Sequence, residues 1–143
     1  MIYLDASYII KCYLREAGSA EVLRLVQRSP GRSSGLHGRA EFYSAVHRRL
    51  REKHLSAGDA AAVWKQFESD ERSGLWHWLA ITDNVVRKAC NAFEKLDATV
   101  FLRASDALHL ACAAENRFIE VHSGDRILLE AAPYFGLNGV NVY

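Results

Sequence analysis

Met1-Ile-Tyr-Leu-Asp5-Ala-Ser7 is a short apolar run that ends on a carboxylate and a hydroxyl. The run predicts a β-strand, and Asp5 then lies at the carboxyl end of that strand. In open α/β sheets this edge is where ligands bind. We therefore expect Asp5 to belong to a functional site around which the rest of the chain is arranged.

The size and composition of the chain fit a globular domain. Its 143 residues are 50% hydrophobic and 24% charged, with a formal net charge of +1. These values argue against the disordered classes and predict one domain over residues 1–143. Residues 24–54 hold far more basic than acidic side chains. This uneven distribution is compatible with a basic wall beside an acidic site.

The cysteines and the apolar runs predict a cytoplasmic protein. Cys12, Cys90 and Cys112 are widely spaced within apolar helical patterns, which is typical of reduced thiols. No positively charged leader precedes an apolar segment, and no run approaches the ~18 apolar residues of a membrane span. We expect neither secretion nor a membrane partner.

Helical and strand patterns alternate along the chain. Helical periodicity predicts helices near residues 7–15, 20–28, 40–53, 57–71, 84–96, 102–114 and 125–132. Further strands are predicted at residues 75–81, 118–122 and 140–143. Turn-forming residues predict a loop at 29–35, with room for only a very short strand. The alternation indicates a three-layer α/β fold with a mostly parallel sheet.

Polar residues before the apolar patterns predict where several helices begin. The candidate N-caps are Ser7, Ser19, Ser56 and Thr82 or Asp83. Asp125 opens the predicted helix at 125–132.

Three aspartates occupy positions unusual for surface carboxylates. Asp5 and Asp125 each lie where an apolar strand is followed by a helix. Asp106 lies in a helix that otherwise has a buried pattern, where an uncompensated carboxylate is strongly unfavourable. Taken singly, each is explained equally well as a cap or turn residue, and Glu41 as a first-turn partner of a helix dipole.

Together, these acids predict a site for a hard divalent cation. Carboxylates gathered by the fold repel one another unless a cation lies between them. Carboxylate and water ligands favour Mg²⁺ or Mn²⁺ over zinc, and no histidine or cysteine spacing competes. Such ions bind phosphate oxygens and activate a water molecule for in-line attack.

The motifs taken together resemble the PIN domain. In chain order they are Tyr3-Leu-Asp5-Ala-Ser7, Arg39-Ala-Glu41, Leu102-Arg-Ala-Ser-Asp106-Ala-Leu-His-Leu-Ala111, His122-Ser-Gly-Asp125-Arg126 and Gly136-Leu-Asn-Gly-Val-Asn-Val142. Within that family the chain looks like the VapC-type toxin ribonucleases of toxin–antitoxin pairs. One segment departs from the family pattern. A clear strand is usual where this chain has residues 29–37, and Gly38 interrupts the approach to Glu41.

The resemblance implies an α/β/α sandwich that cleaves RNA with Mg²⁺ or Mn²⁺. It also implies a cognate antitoxin as inhibitor and a homodimer. Carried over position by position, the catalytic acids are Asp5, Glu41, Asp106 and Asp125. The three aspartates would hold the metal, while Glu41 would orient the attacking water or hold a second ion.

Several neighbouring residues have weaker assignments. Ser7 and Ser123 match hydroxyl positions that support the acids by hydrogen bonds in the resembled family. Arg39 and Arg126 flank two of the acids and are candidates for contact with RNA phosphates, although basic helix faces are often merely solvated. His109 is expected to pack with a backbone partner rather than to touch the site.

Two other functions stay open. A PIN-like module that binds RNA or a protein without cutting it fits the irregular approach to Glu41. Phosphotransfer on an aspartate nucleophile fits a strand-end acid, but no second aspartate lies two residues after Asp5, and Lys11 is the only nearby lysine. Metal binding that depends on Asp5 separates the nuclease from the non-catalytic module.

Overall fold

The computed structural model describes residues 1–143 and alternates strands with helices. The strands are β1 (Ile2–Tyr3), β2 (Arg32–Gly35), β3 (Trp76–Leu79), β4 (Glu120–His122) and β5 (Asn138–Val140). The helices are α1 (Ala6–Tyr13), α2 (Ser19–Arg28), α3 (Gly38–Arg51), α4 (Ala57–Arg72), α5 (Asp83–Lys95), α6 (Ala104–Glu115) and α7 (Arg126–Ala131). A 3₁₀ turn, Ala132–Phe135, follows α7. No helix combines the length and the hydrophobicity that crossing a bilayer requires.

All the strand pairings are parallel. β2 pairs with β1 on one side and β3 on the other, and β4 pairs with β5. A parallel bridge between Leu4 and His122 joins these two groups, so the spatial order is β3-β2-β1-β4-β5. The strand order reverses between β1 and β4, which is the position where ligands bind in open α/β sheets. Asp5 follows the central strand at this point.

The sheet separates two apolar clusters. Tyr3 and Leu4 are consecutive and fully buried, but they belong to different clusters because successive side chains of a strand point to opposite faces. The Leu4 cluster is built from helices α1–α4, and the Tyr3 cluster from helices α5–α7. The predicted three-layer α/β/α arrangement is thus confirmed.

The predicted loop at residues 29–35 contains the short strand β2, for which the prediction left room. This strand is hydrogen-bonded on both sides, and its Ser33 and Ser34 are fully buried. Serine and glycine are turn-forming residues, so local composition predicts a loop where tertiary pairing makes a strand. The last strand is Asn138–Val140, earlier in the chain than the predicted residues 140–143.

Two predicted helix caps are wrong. Asp5, rather than Ser7, caps α1, and its carboxylate accepts a backbone N–H of the first turn. Gly18, rather than Ser19, precedes α2, with φ of 83° in the left-handed region that favours glycine. The other predicted caps are confirmed at Ser56 and Thr82.

Phe67 tests the packing between the α3–α4 pair and the sheet. Its ring is fully buried and stacks on Phe42 with the centroids 4.1 Å apart. Phe67→Ala is expected to lower the free energy of unfolding by about 3–5 kcal/mol in urea denaturation, because it leaves a cavity. The control Phe93→Ala, at a side chain 43% exposed, is expected to cost about 1 kcal/mol or less. Equal stabilities for the two variants would contradict this packing.

Candidate metal and active site

The four predicted acids meet in one pocket at the carboxyl edge of the sheet. Its volume is ≈ 580 Å³. β1 leads into α1 on one face of the sheet and β4 leads into α7 on the other, which opens a crevice between them. The acids that line the pocket are Asp5, Glu41, Asp106 and Asp125.

Two serines tie Asp5 to the turn that carries Asp125. Ser7 Oγ donates a hydrogen bond to Asp5 Oδ1 at 2.7 Å, and Ser123 Oγ donates to Asp5 Oδ2 at 2.6 Å. Ser7 Oγ in turn accepts from the Gly124 N–H at 2.9 Å, and Ser123 Oγ from the Asp125 N–H at 2.8 Å. Both oxygens of Asp5 are therefore oriented by neighbouring hydroxyls.

Burial disfavours the ionised forms of Asp5 and Asp106, and a cation beside them would offset this effect. Burial raises the pKa of Asp5, although His109 and the two serine hydroxyls oppose it. Burial also raises the pKa of Asp106, and the charges of Asp125 and Glu41 add to the effect. A divalent ion among these oxygens would favour their ionised forms, so the donor set fits a hard cation.

Arg103 bridges two of the acids. Its Nε donates to Asp106 Oδ2 at 2.8 Å, and its Nη2 donates to Asp125 Oδ2 at 2.5 Å. The guanidinium is thus the charge that compensates Asp106. Because 56% of the Arg103 side chain is exposed, it can move away without uncovering the core. The sequence signal for this residue is its position three residues before Asp106.

Glu41 is held by α6 through both of its oxygens. Ser105 Oγ donates to Oε1, and His109 Nε2 lies 2.6 Å from Oε2. Burial opposes ionisation of Glu41, but the hydrogen bonds from His109 and Ser105 outweigh it, so the pKa lies below its usual value. The ionised carboxylate only accepts hydrogen bonds, so Nε2 of His109 is assigned as the donor.

His109 also bonds to the central strand. Its Nδ1 lies 3.0 Å from the Tyr3 hydroxyl. In the tautomer with the proton on Nε2, Nδ1 accepts from the Tyr3 hydroxyl, which itself accepts from the Gly35 N–H at 3.0 Å. The predicted backbone partner of His109 is therefore wrong, because both ring nitrogens bond to side chains. A buried chain of hydrogen bonds runs from β2 to Glu41.

Gly38 brings Glu41 into the pocket instead of displacing it. A Cβ at this position would lie 3.0 Å from Ser34 Oγ and 3.3 Å from His109 Cε1. Such distances are tighter than ordinary contacts, so a glycine lets the start of α3 approach β2 and α6 closely. The residue that interrupts the family pattern is thus compatible with the predicted position of Glu41.

His37 lies beside this network at the N-cap position of α3. Its Nε2 lies 3.3 Å from the Ser105 carbonyl oxygen and 3.8 Å from Glu41 Oε2, and its ring centroid lies 4.1 Å from that of His109. Burial and His109 lower the pKa of His37 to about 4, so the ring is neutral at pH 7. Sequence reasoning missed His37, although it lies four residues before Glu41 on the same helix face.

The two arginines predicted to contact RNA lie outside this pocket. Arg39 Nε is 2.6 Å from Glu71 Oε1, and the Arg126 side chain is 83% exposed. Neither lines the acidic pocket. The arginines that do are Arg48 and Arg103.

Comparison with protein families identifies the fold. The PIN domain family model matches residues 2–132. The chain belongs to the PIN domain family. Among curated proteins, none matches this PIN domain by sequence.

Three solved structures share the architecture of this PIN domain. VapC20 of Mycobacterium tuberculosis, described as a sarcin–ricin loop cleaving toxin, is 16% identical over 96% of this chain and 99% of its own, with a TM-score of 0.72. VapBC2 from Rickettsia felis, bound to promoter DNA, is 14% identical over 99% and 98%, with a TM-score of 0.69. A toxin–antitoxin complex from Klebsiella pneumoniae is 14% identical over 100% and 98%, with a TM-score of 0.65. At these identities the likeness shows the fold alone.

Tyr3→Phe tests the buried chain of hydrogen bonds. It leaves His109 Nδ1 without a donor and the Gly35 N–H without an acceptor. We expect a loss of about 1–3 kcal/mol in the free energy of unfolding, measured in urea. The control is Tyr43→Phe, whose hydroxyl donates to Glu68 at the surface and which should cost about 0.5 kcal/mol or less. A fully stable Tyr3→Phe protein would argue against the network.

His37 makes stability depend on pH. Its pKa is lowered from 6.5 to about 4, so the unfolded chain binds more protons than the folded one between these values. The free energy of unfolding therefore rises with pH across this window. Removing the titrating ring by His37→Asn should flatten the rise by on the order of 2 kcal/mol, measured by urea denaturation at a series of pH values. Profiles of equal slope in both proteins would exclude this contribution.

Proposed function

We propose that this PIN domain is a metal-dependent endoribonuclease and the toxin of a toxin–antitoxin pair, with residues 1–143 acting as one catalytic domain. The observation that carries the proposal is the convergence of four carboxylates in one pocket at the strand-order reversal. PIN domains of the VapC type are generally nucleases, which supports the reaction class. The predicted roles of the individual residues belong to this proposal.

The aspartates have the ligand chemistry for one Mg²⁺ or Mn²⁺ ion. Asp5, Asp106 and Asp125 would hold it, with the serine hydroxyls fixing Asp5. When bound, the ion supplies charge stabilisation at the phosphate and lowers the pKa of a water ligand. The charge of the ion would favour the ionised carboxylates against the burial that raises the pKa of Asp5 and Asp106.

Glu41 is positioned to orient the attacking water. Its carboxylate is ionised, its side chain is 28% exposed towards the pocket, and Ser105 and His109 fix its direction. Each carboxylate oxygen has lone pairs left to accept from a water molecule. A fixed acceptor aligns the water against the phosphorus without reorganisation during the reaction.

Arg103 and Arg48 supply the positive charge of the pocket. Once ligands engage Asp106 and Asp125, the exposed Arg103 guanidinium can donate two parallel hydrogen bonds to a phosphodiester. Arg39 and Arg126 lie outside the pocket, and we propose for them at most contacts with more distant phosphates of the RNA.

The toxin assignment rests on the structural neighbours. VapC20 is described as a toxin and the Klebsiella pneumoniae structure as a toxin–antitoxin complex, and each is covered almost completely by this chain. We propose a cognate antitoxin that covers the acidic pocket with a basic side chain, and a homodimer of the toxin. The three free cysteines fit the reducing cytoplasm as the place of action.

A second candidate is a PIN module that binds RNA or a protein without cutting it. The Arg103 bridge favours this candidate, because its single positive charge already compensates part of the charge of Asp106 and Asp125. Such a module would bind RNA equally well with and without divalent ions, and its metal affinity would not depend on Asp5.

Cleavage of a mixed tRNA and mRNA pool by the antitoxin-free protein distinguishes the two candidates. We expect cleavage with Mg²⁺ or Mn²⁺ and none with EDTA. Asp5→Asn and Asp106→Asn should each lower the rate by about 100-fold or more while the protein stays folded, because they remove a ligand charge. Asp83→Asn, at a side chain that is 78% exposed and does not line the pocket, is the matched control. Undiminished cleavage by folded Asp106→Asn protein would exclude the proposed site.

A further inference from the structure

We propose that His37, Glu41 and His109 form a second metal-binding site, selective for a borderline transition-metal ion such as Zn²⁺, and that occupation of this site inhibits the nuclease. Imidazole nitrogens favour such ions, whereas Mg²⁺ prefers oxygen ligands alone. The site thus differs in chemistry from the aspartate pocket beside it. Only the inhibitory effect rests on the proposed nuclease function.

The three side chains converge on one point. One ligand atom from each lies within 4.8 Å of the others. The His37 Nε2 and Glu41 Oε2 atoms are 3.8 Å apart, and the His109 Nε2 and Glu41 Oε2 atoms are 2.6 Å apart. Ligand atoms around a tetrahedral zinc ion, with bonds of about 2.0–2.1 Å, are roughly 3.3 Å apart. Both distances therefore reach that value by shifts of less than about 1 Å.

Two helices give the site its rigidity. His37 is the N-cap residue of α3 and Glu41 lies in the first turn of this helix, while His109 projects from the middle of α6. The close approach of these helices at Gly38 fixes their spacing. Ligands on regular elements are positioned more accurately than ligands on loops.

His109 already has the outer hydrogen bond that metal-binding histidines need. Its Nδ1 bonds to the buried Tyr3 hydroxyl, which orients Nε2 towards Glu41. When Nε2 binds an ion, it gives up its proton and Nδ1 takes one up by exchange with water, so that the ring changes tautomer and Nδ1 donates to the Tyr3 oxygen. A hydrogen-bond partner that is not itself a ligand thus fixes the tautomer of the ligating ring.

His37 is the adaptable ligand. Its only hydrogen bond is the contact of 3.3 Å from Nε2 to Ser105, and its Nδ1 has no partner. Turning Nε2 towards an ion therefore breaks only this one long hydrogen bond. The side chains of His37 and Glu41 are 18% and 28% exposed, so an ion can enter on their side and keep water ligands there.

An ion bound at this site would change the contacts and the orientation of the Glu41 carboxylate. An ion that takes Oε2 replaces the hydrogen bond from His109 and holds the carboxylate away from the attacking water. The expected result is inhibition at a saturating concentration of Mg²⁺, by an ion that does not displace Mg²⁺ from the aspartates.

Co²⁺ binding tests the site without any need for cleavage. Asp106→Asn protein in excess Mg²⁺ is titrated with Co²⁺, and the intense visible d–d absorption of low-coordinate Co²⁺ with nitrogen ligands is recorded. We expect one such ion per chain. Adding His37→Asn should weaken binding by about 10-fold or more, and adding His47→Asn, at an exposed histidine of the same helix, should not. Circular dichroism checks that each variant is folded.

Equal Co²⁺ spectra and affinities with and without His37 would overturn the site, as would the weak absorption of six-coordinate Co²⁺. In wild-type protein, Zn²⁺ should inhibit Mg²⁺-dependent cleavage, and His37→Asn should raise the half-inhibiting concentration by about 10-fold or more relative to its own Zn²⁺-free rate. Equal inhibition of both proteins would overturn the regulatory effect. If no RNA is cut at all, the proposed function fails, while the Co²⁺ titration still decides the site.

Discussion

The buried carboxylate of Asp5 is the constraint on which the rest of the structure depends. It follows the central strand, caps α1 and accepts hydrogen bonds from hydroxyls on two separate segments. A carboxylate so placed is stable only if its surroundings replace the water it has lost. The chain does this with Ser7, Ser123 and the first turn of α1, which in turn hold β1 and β4 together at the strand-order reversal.

Much of this arrangement is predictable from local sequence, because it follows from periodicity and from the placement of charge. The alternation of helices and strands predicts the three layers. The positions where a strand is followed by a helix identify Asp5 and Asp125 as candidate site residues. Asp106 is predictable because a charged residue interrupts a buried helix pattern. The structure gathers these three aspartates with Glu41 into one pocket. What sequence reasoning misses is decided by contacts between distant segments. β2 is a strand only because two neighbours pair with it, and the partners of His109 come from β1 and α3.

The negative charges of the pocket are compensated in two different ways. Asp106 and Asp125 share the half-exposed guanidinium of Arg103, which a ligand can displace. Glu41 is compensated by hydrogen bonds from the buried side of α6, which are fixed. The aspartates are thus arranged for exchange of a cation, and Glu41 for constant orientation. This division agrees with different roles for acids that composition alone cannot tell apart.

Helix α6 supplies Asp106 and also Ser105 and His109, the two residues that hold Glu41. The geometry of the site therefore depends on the register of this helix. Ser105, Asp106 and His109 lie on a single face of the helix. Successive residues of an α-helix are turned by about 100° about its axis. One residue inserted between His109 and Leu110 would therefore turn Ser105, Asp106 and His109 by this angle relative to the buried residues 110–113, although the apolar composition of the helix would hardly change. The spacing within this segment is for that reason under a stricter constraint than the identity of its apolar residues.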